Sequence, residues 1–137
     1  MVNSVLEQRQ QHYQPRLQIS RLCEQLEERI AKKRWEFQHT SFDPLKLWTI
    51  ANEVGALNWV LRKVQVQSGM QKSSPENITD KIIIQLKKEL LRIERYLVRP
   101  NKVNFESRGR LKSRASAIEW TLFQIHFLLA ETLQEES

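Results

Sequence analysis

The sequence predicts an all-α protein, an up-and-down antiparallel four-helix bundle that forms a single domain over residues 1–137. Only three glycines and four prolines occur, which is too few turn residues for a many-stranded β fold. With 40% hydrophobic residues the chain is also too apolar to be disordered. Its helix breakers fall into groups near residue 15 and at 38–44, 68–75 and 100–104, and they leave four long segments with helical apolar spacing.

The first helix is predicted to follow Pro15, which is tolerated near a helix start because the first-turn amides have no partners there. Residues 1–14 are rich in glutamine and are predicted to form either a short extra helix or a frayed arm. Trp35 lies opposite the apolar stripe of this helix and is expected to be partly exposed. The predicted stripe consists of Ile19, Cys23, Leu26, Ile30 and Phe37.

The second helix has the best-marked start, because Asp43 can cap it and Pro44 then takes the first helical position. It is predicted to run to about Gln67, with a core face of Leu47, Ile50, Ala51, Val54, Leu57, Leu61 and Val64. Trp48 and Trp59 lie on a second stripe, which is expected to pack on another helix with Gly55 allowing a close approach. The alternative is that these indoles are exposed and stack on bases or anchor a partner.

The third and fourth helices are separated by Pro100, because the residue before a proline avoids the helical region. The third helix is predicted to begin after Pro75 and to bury Ile82, Leu86, Leu90, Ile93 and Leu97. The fourth is predicted to cover residues 105–135, with a core stripe of Leu111, Ala115, Ile118, Leu122, Ile125, Leu129 and Leu133.

Three aromatic residues of the fourth helix, Trp120, Phe123 and Phe127, lie on the side opposite its core stripe. A helix that is apolar nearly all round is buried on both sides. We therefore expect this side to form a symmetric dimer seam or to dock a partner. The alternative is that the N-terminal segment folds over it.

The net charge of +6 is concentrated in residues 81–114. This range contains eleven Lys and Arg residues and three acidic residues, which gives a local net charge of +8. A stripe without acids runs along the third helix through Lys81, Lys88, Arg92, Arg95 and Arg99. The basic run continues on the fourth helix through Arg108, Arg110, Lys112 and Arg114. Because solvated helix faces usually mix charges, this stripe predicts an anionic partner, either DNA or RNA phosphates or an acidic protein.

We therefore predict a non-catalytic binding protein that acts as an accessory factor in nucleic acid transactions, each of these cations contacting a phosphate. The competing prediction is an adaptor or inhibitor that binds an acidic protein, with the three aromatic residues as anchors. No catalytic residue, metal site or cofactor is predicted, since the histidines lie far apart and no glycine-rich phosphate loop occurs. The single cysteine and the lack of a signal peptide or membrane span predict a cytoplasmic protein with no membrane partner.

One short motif points instead to an enzyme. The residues from Arg34 to His39, Arg-Trp-Glu-Phe-Gln-His, resemble the Arg-x4-His element of the HEPN ribonucleases, which are small all-helical dimers. The resemblance covers six residues and implies a metal-independent ribonuclease in which Arg34 and His39 of two protomers converge on RNA. In that family a polar residue commonly follows the arginine, whereas this chain has Trp35. Ribonuclease activity is therefore kept as a minor alternative.

Overall fold

The structure is a computed structural model that describes residues 18–69, 76–99 and 104–135, and these ranges contain four α-helices. The helices are α1 (Ile19–His39), α2 (Pro44–Gly69), α3 (Glu76–Leu97) and α4 (Phe105–Glu135). No strand occurs in these ranges, and the packing of the helices confirms the predicted all-α four-helix bundle. The helix or arm predicted at residues 1–14 lies outside the described residues.

Side-chain caps explain where two of the helices begin, and the cap of α2 is the one predicted from the sequence. At α2 the Asp43 Oδ1 atom accepts hydrogen bonds from the backbone amides of Leu45 (3.1 Å) and Lys46 (3.3 Å), two of the donors that a helix start leaves unpaired. At α4 the Oδ1 atom of Asn104 accepts from the backbone amide of Ser107 at 2.8 Å. Both starts therefore lie within one residue of their predicted positions.

Helices α1 and α4 run in opposite directions. Near the start of α1, Arg21 Nη1 lies 3.0 Å from Glu131 Oε2, close to the end of α4. Two turns further along α1, the guanidinium of Arg29 lies over the ring of Trp120, which is an earlier residue of α4. Contacts that move forward along one helix and backward along the other define an antiparallel pair.

Helices α2 and α4 run in the same direction and pack closely along their length. Trp48 stacks on Phe105 at the start of α4, and Trp59 lies against Arg114 further along both helices. Parallel helices are the diagonal pair of an up-and-down bundle. The bundle is flattened along this diagonal, since α2 and α4 touch extensively whereas α1 and α3 make no contact within the described residues.

The core combines buried side chains from all four helices, and it confirms the face predicted for α3. Ile82, Leu86 and Ile93 are buried there, and Leu90 and Leu97 are partly buried against them. The other helices contribute Leu22, Leu26, Ile30, Ala56, Leu57, Val60, Val64, Ala117, Ile118, Ile125 and Leu128.

The core face predicted for α1 is only partly right. Leu26 and Ile30 are buried as predicted, but Leu22 is completely buried in place of Cys23, which is half-buried. Phe37 is exposed, because α1 has passed the end of the core when it reaches its last turn. The predicted exposure of Trp35 is confirmed.

The core faces predicted for α2 and α4 are partly right. The predicted residues Ile50, Leu57, Val64, Ile118 and Ile125 are buried, but other core positions differ from the predicted stripes. On α2, Ala51 is exposed whereas Ala56 and Val60 are buried. On α4, the most deeply buried positions include Thr121 and Leu128, while the predicted residues Leu111, Ala115, Leu122 and Leu129 are only partly buried. The cause is the direct packing of α2 on α4 across the bundle. The side chain of Leu133 lies outside the described residues.

Candidate functional site

The cations predicted on the third helix form an exposed stripe along α3. Lys81 lies near its beginning, Lys88, Arg92 and Arg95 follow along its second half, and Arg99 lies two residues beyond its end. Together with Leu91 and Tyr96 the last four cations line an open groove of about 420 Å³, here called the α3 groove. The aliphatic and aromatic carbons between the cations give the groove apolar walls beneath a positively charged rim.

Glu89 joins the two basic segments of the sequence. The Arg92 Nε atom donates to both carboxylate oxygens of Glu89 at 3.1 Å, and Arg114 Nη1 donates to Glu89 Oε1 at 3.3 Å across the α3–α4 contact. These hydrogen bonds, led by that of Arg92, hold the pKa of the Glu89 carboxyl below its ordinary value. Part of the positive charge of Arg92 and Arg114 is therefore neutralised within the fold, although no acid interrupts the stripe in the sequence.

Arg114 is further engaged by Trp59. Its guanidinium lies 4.7 Å from the centre of the Trp59 ring, and the Lys63 ammonium lies 5.5 Å from the same centre. Cations are attracted to the electron-rich face of an indole, so Trp59 and Glu89 hold Arg114 in place at the junction of α2, α3 and α4. Trp59 thus packs on a neighbouring helix, as the sequence predicts, and the role of Arg114 as a phosphate contact stays a prediction.

The remaining predicted cations have no such partner. Within residues 18–69, 76–99 and 104–135, no carboxylate lies within ion-pair distance of Lys81, Lys88, Arg95, Arg99, Arg108, Arg110 or Lys112. Because these cations have no carboxylate partner, their positive charge is uncompensated at the protein surface.

A second groove, here called the aromatic groove, lies between the starts of α2 and α4. The rings of Trp48 and Phe105 stack in it with centroids 5.3 Å apart and planes 15° from parallel. Arg108 and Lys112 line the same groove, which measures about 360 Å³. The predicted cations of α4 are therefore divided, because Arg114 lies instead against Glu89 and Trp59.

Gly109 makes the aromatic groove possible. A Cβ atom on Gly109 would lie 2.2 Å from Trp48 Cη2 and 3.0 Å from two further atoms of the same ring, so only glycine lets the indole rest against α4. The sequence assigns this role to Gly55, but nothing lies within 4 Å of a Cβ at that position. The sequence does contain a signal for this close approach, because Gly109 is a glycine between two arginines inside a long helical segment. No sequence pattern indicates that Phe105 stacks on Trp48.

The aromatic residues predicted as an interface on α4 divide into two environments. Phe123 and Phe127 are 59% and 56% exposed, and their ring centroids lie 5.4 Å apart. Trp120 is partly buried, with the guanidinium of Arg29 lying 4.6 Å from its ring centre. The exposed patch is thus the phenylalanine pair, and Trp120 belongs to the α1–α4 contact.

The residues of the HEPN-like motif lie at the end of α1. Arg34 is exposed there. The His39 ring stacks on Trp35 at 4.1 Å, and its Nδ1 atom donates to the Trp35 carbonyl oxygen at 2.8 Å. This arrangement satisfies a carbonyl at the helix end, where such groups otherwise lack partners.

Two further features are absent from the described residues. No group of three or more His, Cys, Asp or Glu side chains is placed to hold a metal ion there. None of the described helices has the length and apolar character needed to cross a membrane.

Comparisons with protein families, curated proteins and solved structures give no match to this chain. The functional argument therefore depends on the two grooves and their charges.

Proposed function

We propose that the protein is a non-catalytic, cytoplasmic nucleic acid-binding protein that contacts phosphates through the α3 groove. The observation that supports this most is the row of four cations along one groove. Three of them, Lys88, Arg95 and Arg99, face no carboxylate among the described residues. A row of unpaired cations repels itself in the free protein and is relieved when an anion binds.

The length of the row suits a nucleic acid strand. Lys88 and Arg95 are seven residues apart on α3, which at a helical rise of about 1.5 Å corresponds to roughly 10 Å, and Arg99 lies just beyond the helix end. One strand of B-form DNA carries a phosphate about every 3.4 Å along the axis, so the helical part of the row alone spans roughly three phosphates. A surface of this kind reads charge and carries no base code, so it binds DNA or RNA with little sequence preference.

Salt-dependent binding tests the proposal. The dissociation constant of a fluorescein-labelled 20-base-pair duplex is measured by anisotropy at several salt concentrations. We expect the Arg95→Ala/Arg99→Ala variant to bind more weakly and to show a salt slope smaller by about two, one for each arginine that no longer neutralises a phosphate. Arg34→Ala is the matched control, since Arg34 is an exposed arginine on α1, the helix that makes no contact with α3.

We expect the control to bind as tightly as the unsubstituted protein. Binding that does not change with salt, or an equal loss in Arg34→Ala, would refute the proposal. The Arg34→Ala protein also tests the ribonuclease alternative, because loss of an RNA-degrading activity in this variant would support that alternative.

A second candidate function is that of a protein-interaction module, and the exposed pair Phe123 and Phe127 favours it. Neighbouring exposed aromatic rings are typical of surfaces that bury against another protein, including a second copy of the same chain. Light scattering tests the symmetric case. A dimer that dissociates in Phe123→Ser/Phe127→Ser supports it, and a monomer at high concentration excludes the dimer seam.

A further inference from the structure

We propose that the aromatic groove binds an unpaired nucleic acid base, so that the protein prefers single strands to duplexes. This inference rests on the proposed function and names the class of nucleic acid that the protein takes. It goes beyond phosphate contact, because the α3 groove alone does not distinguish a single strand from a duplex.

The first support is the geometry of the two stacked rings. Phe105 is 71% exposed although one side of its ring lies against Trp48, so the opposite side is accessible. A base has the flat shape needed to continue this stack. Stacking on aromatic side chains is the usual way in which proteins hold single strands without reading their sequence. In a duplex the bases are already stacked on each other and cannot enter the groove without unpairing.

The second support is charge. Arg108 and Lys112 line the groove one helical turn apart, and within the described residues neither is paired with a carboxylate. A nucleotide carries a planar ring and an anionic phosphate in one unit, which matches an aromatic stack flanked by cations. This complementarity favours a nucleotide over a purely apolar ligand.

The third support is an unsatisfied polar group. Asn52 also lines the groove, and its Nδ2 atom has no hydrogen-bond partner within the part of the chain that the structure describes. A buried donor without an acceptor is costly and uncommon in folded proteins. Bases present carbonyl oxygens and ring nitrogens that accept hydrogen bonds. The Nδ2 atom is itself buried, so it reaches such an acceptor only when the Asn52 side chain turns toward the groove.

The test compares a single strand with a duplex in one set of variants. The probes are a 12-nucleotide thymidine strand and a duplex of equal length made with its complement, each fluorescein-labelled and measured by anisotropy. Phe105→Ala removes the exposed ring, and Phe42→Ala is the control because Phe42 is 90% exposed and lies before α2, outside the groove. Unfolding curves of both variants verify that they are folded.

We expect Phe105→Ala to weaken binding of the strand about fivefold or more, the effect of removing one ring on which a base stacks, with the duplex changed less than about twofold. Phe42→Ala leaves both affinities unchanged. Binding of the unlabelled strand is expected to quench tryptophan fluorescence in the unsubstituted protein and to do so less in Trp48→Phe.

An equal loss for strand and duplex in Phe105→Ala, or no loss for either, overturns the inference. A polyglutamate peptide that quenches Trp48 and displaces the strand also overturns it, in favour of an acidic protein ligand. The proposed function fails separately, if Arg95→Ala/Arg99→Ala leaves both affinities unchanged. The two results are distinguishable because each variant alters a different groove.

Discussion

The two glycines inside helices α2 and α4 provide a sharp test of the packing that forms the aromatic groove. Replacing a glycine in a helix interior with alanine stabilises a protein by about 0.5–1 kcal/mol when the added methyl group has space. Gly55 has that space, since nothing lies within 4 Å of its Cβ position. We therefore expect Gly55→Ala to raise the free energy of unfolding by this amount.

At Gly109 the same substitution meets the Trp48 ring at 2.2 Å, well inside van der Waals contact. The indole must leave its place between Gly109 and Phe105, and overpacking of this kind costs about 1–3 kcal/mol. Because both variants gain the same helix propensity, the difference in stability between them isolates this packing cost. We expect Gly109→Ala to be less stable than Gly55→Ala by about 1–3 kcal/mol.

Urea unfolding followed by circular dichroism measures both values. Because the chain has four tryptophans, the displacement of Trp48 is measured as the difference in emission between each variant and the same variant carrying Trp48→Phe. Equal stability of the two variants would refute the packing of Trp48 on α4. A lower stability of Gly109→Ala with unchanged tryptophan emission would place the strain elsewhere in the helix.

Three further predictions follow from the ion pairs and the core. Glu89→Gln should lower the stability at pH 7 by about 0.5–1.5 kcal/mol, because it removes the carboxylate that binds Arg92 and Arg114. The pKa of Glu89 is lowered from 4.5, so this stabilisation is present above 4.5 and is lost as the pH falls through the pKa of the folded state. Urea unfolding should therefore show the two proteins converging in acid, and a difference that persists there would contradict the pairing. The same variant should bind nucleic acid more tightly in the anisotropy assay, since it releases two arginines, and weaker binding would argue against the α3 groove. Leu22→Ala should cost about 2–5 kcal/mol and Phe37→Ala less, because Leu22 is fully buried whereas Phe37 is 43% exposed. Equal costs in urea unfolding would contradict the core face assigned to α1.

The helices and their order could be predicted because their limits depend on local chemistry. Asp43 and Pro44 mark the start of α2 whatever the rest of the chain does, and Pro100 separates α3 from α4 in the same way. The core stripe of α3 was also predictable, because this helix lies at the edge of the bundle and buries one narrow face.

The predicted faces of α2 and α4 are right only in part, because the remaining buried positions depend on which helices become the close diagonal pair. Each of these helices carries apolar residues over a wide arc, and the arc alone does not show which part is most deeply buried. The closeness of α2 to α4 decides that Val60 and Thr121 are buried and that Ala51 is exposed.

The candidate site could be predicted as a set of cations but not as two grooves. Helical spacing correctly placed Lys88 and Arg95 on one exposed face of α3, and Arg99 lines the same groove from just beyond the helix end. The pairing of Arg92 with Glu89 depends on side-chain conformation over three residues. The stack of Trp48 on Phe105 joins residues that are far apart in the chain, and periodicity within one helix contains no information about it.

The most direct test of the proposed function is the slope of the binding constant against salt concentration for Arg92→Ala, Arg95→Ala and Arg99→Ala, each measured separately by anisotropy. We predict that Arg95→Ala and Arg99→Ala each reduce the slope by about one. Arg92→Ala should reduce it by less, because Glu89 already neutralises part of the Arg92 charge. A slope that is the same in all three variants and in the unsubstituted protein would contradict phosphate binding through the α3 groove.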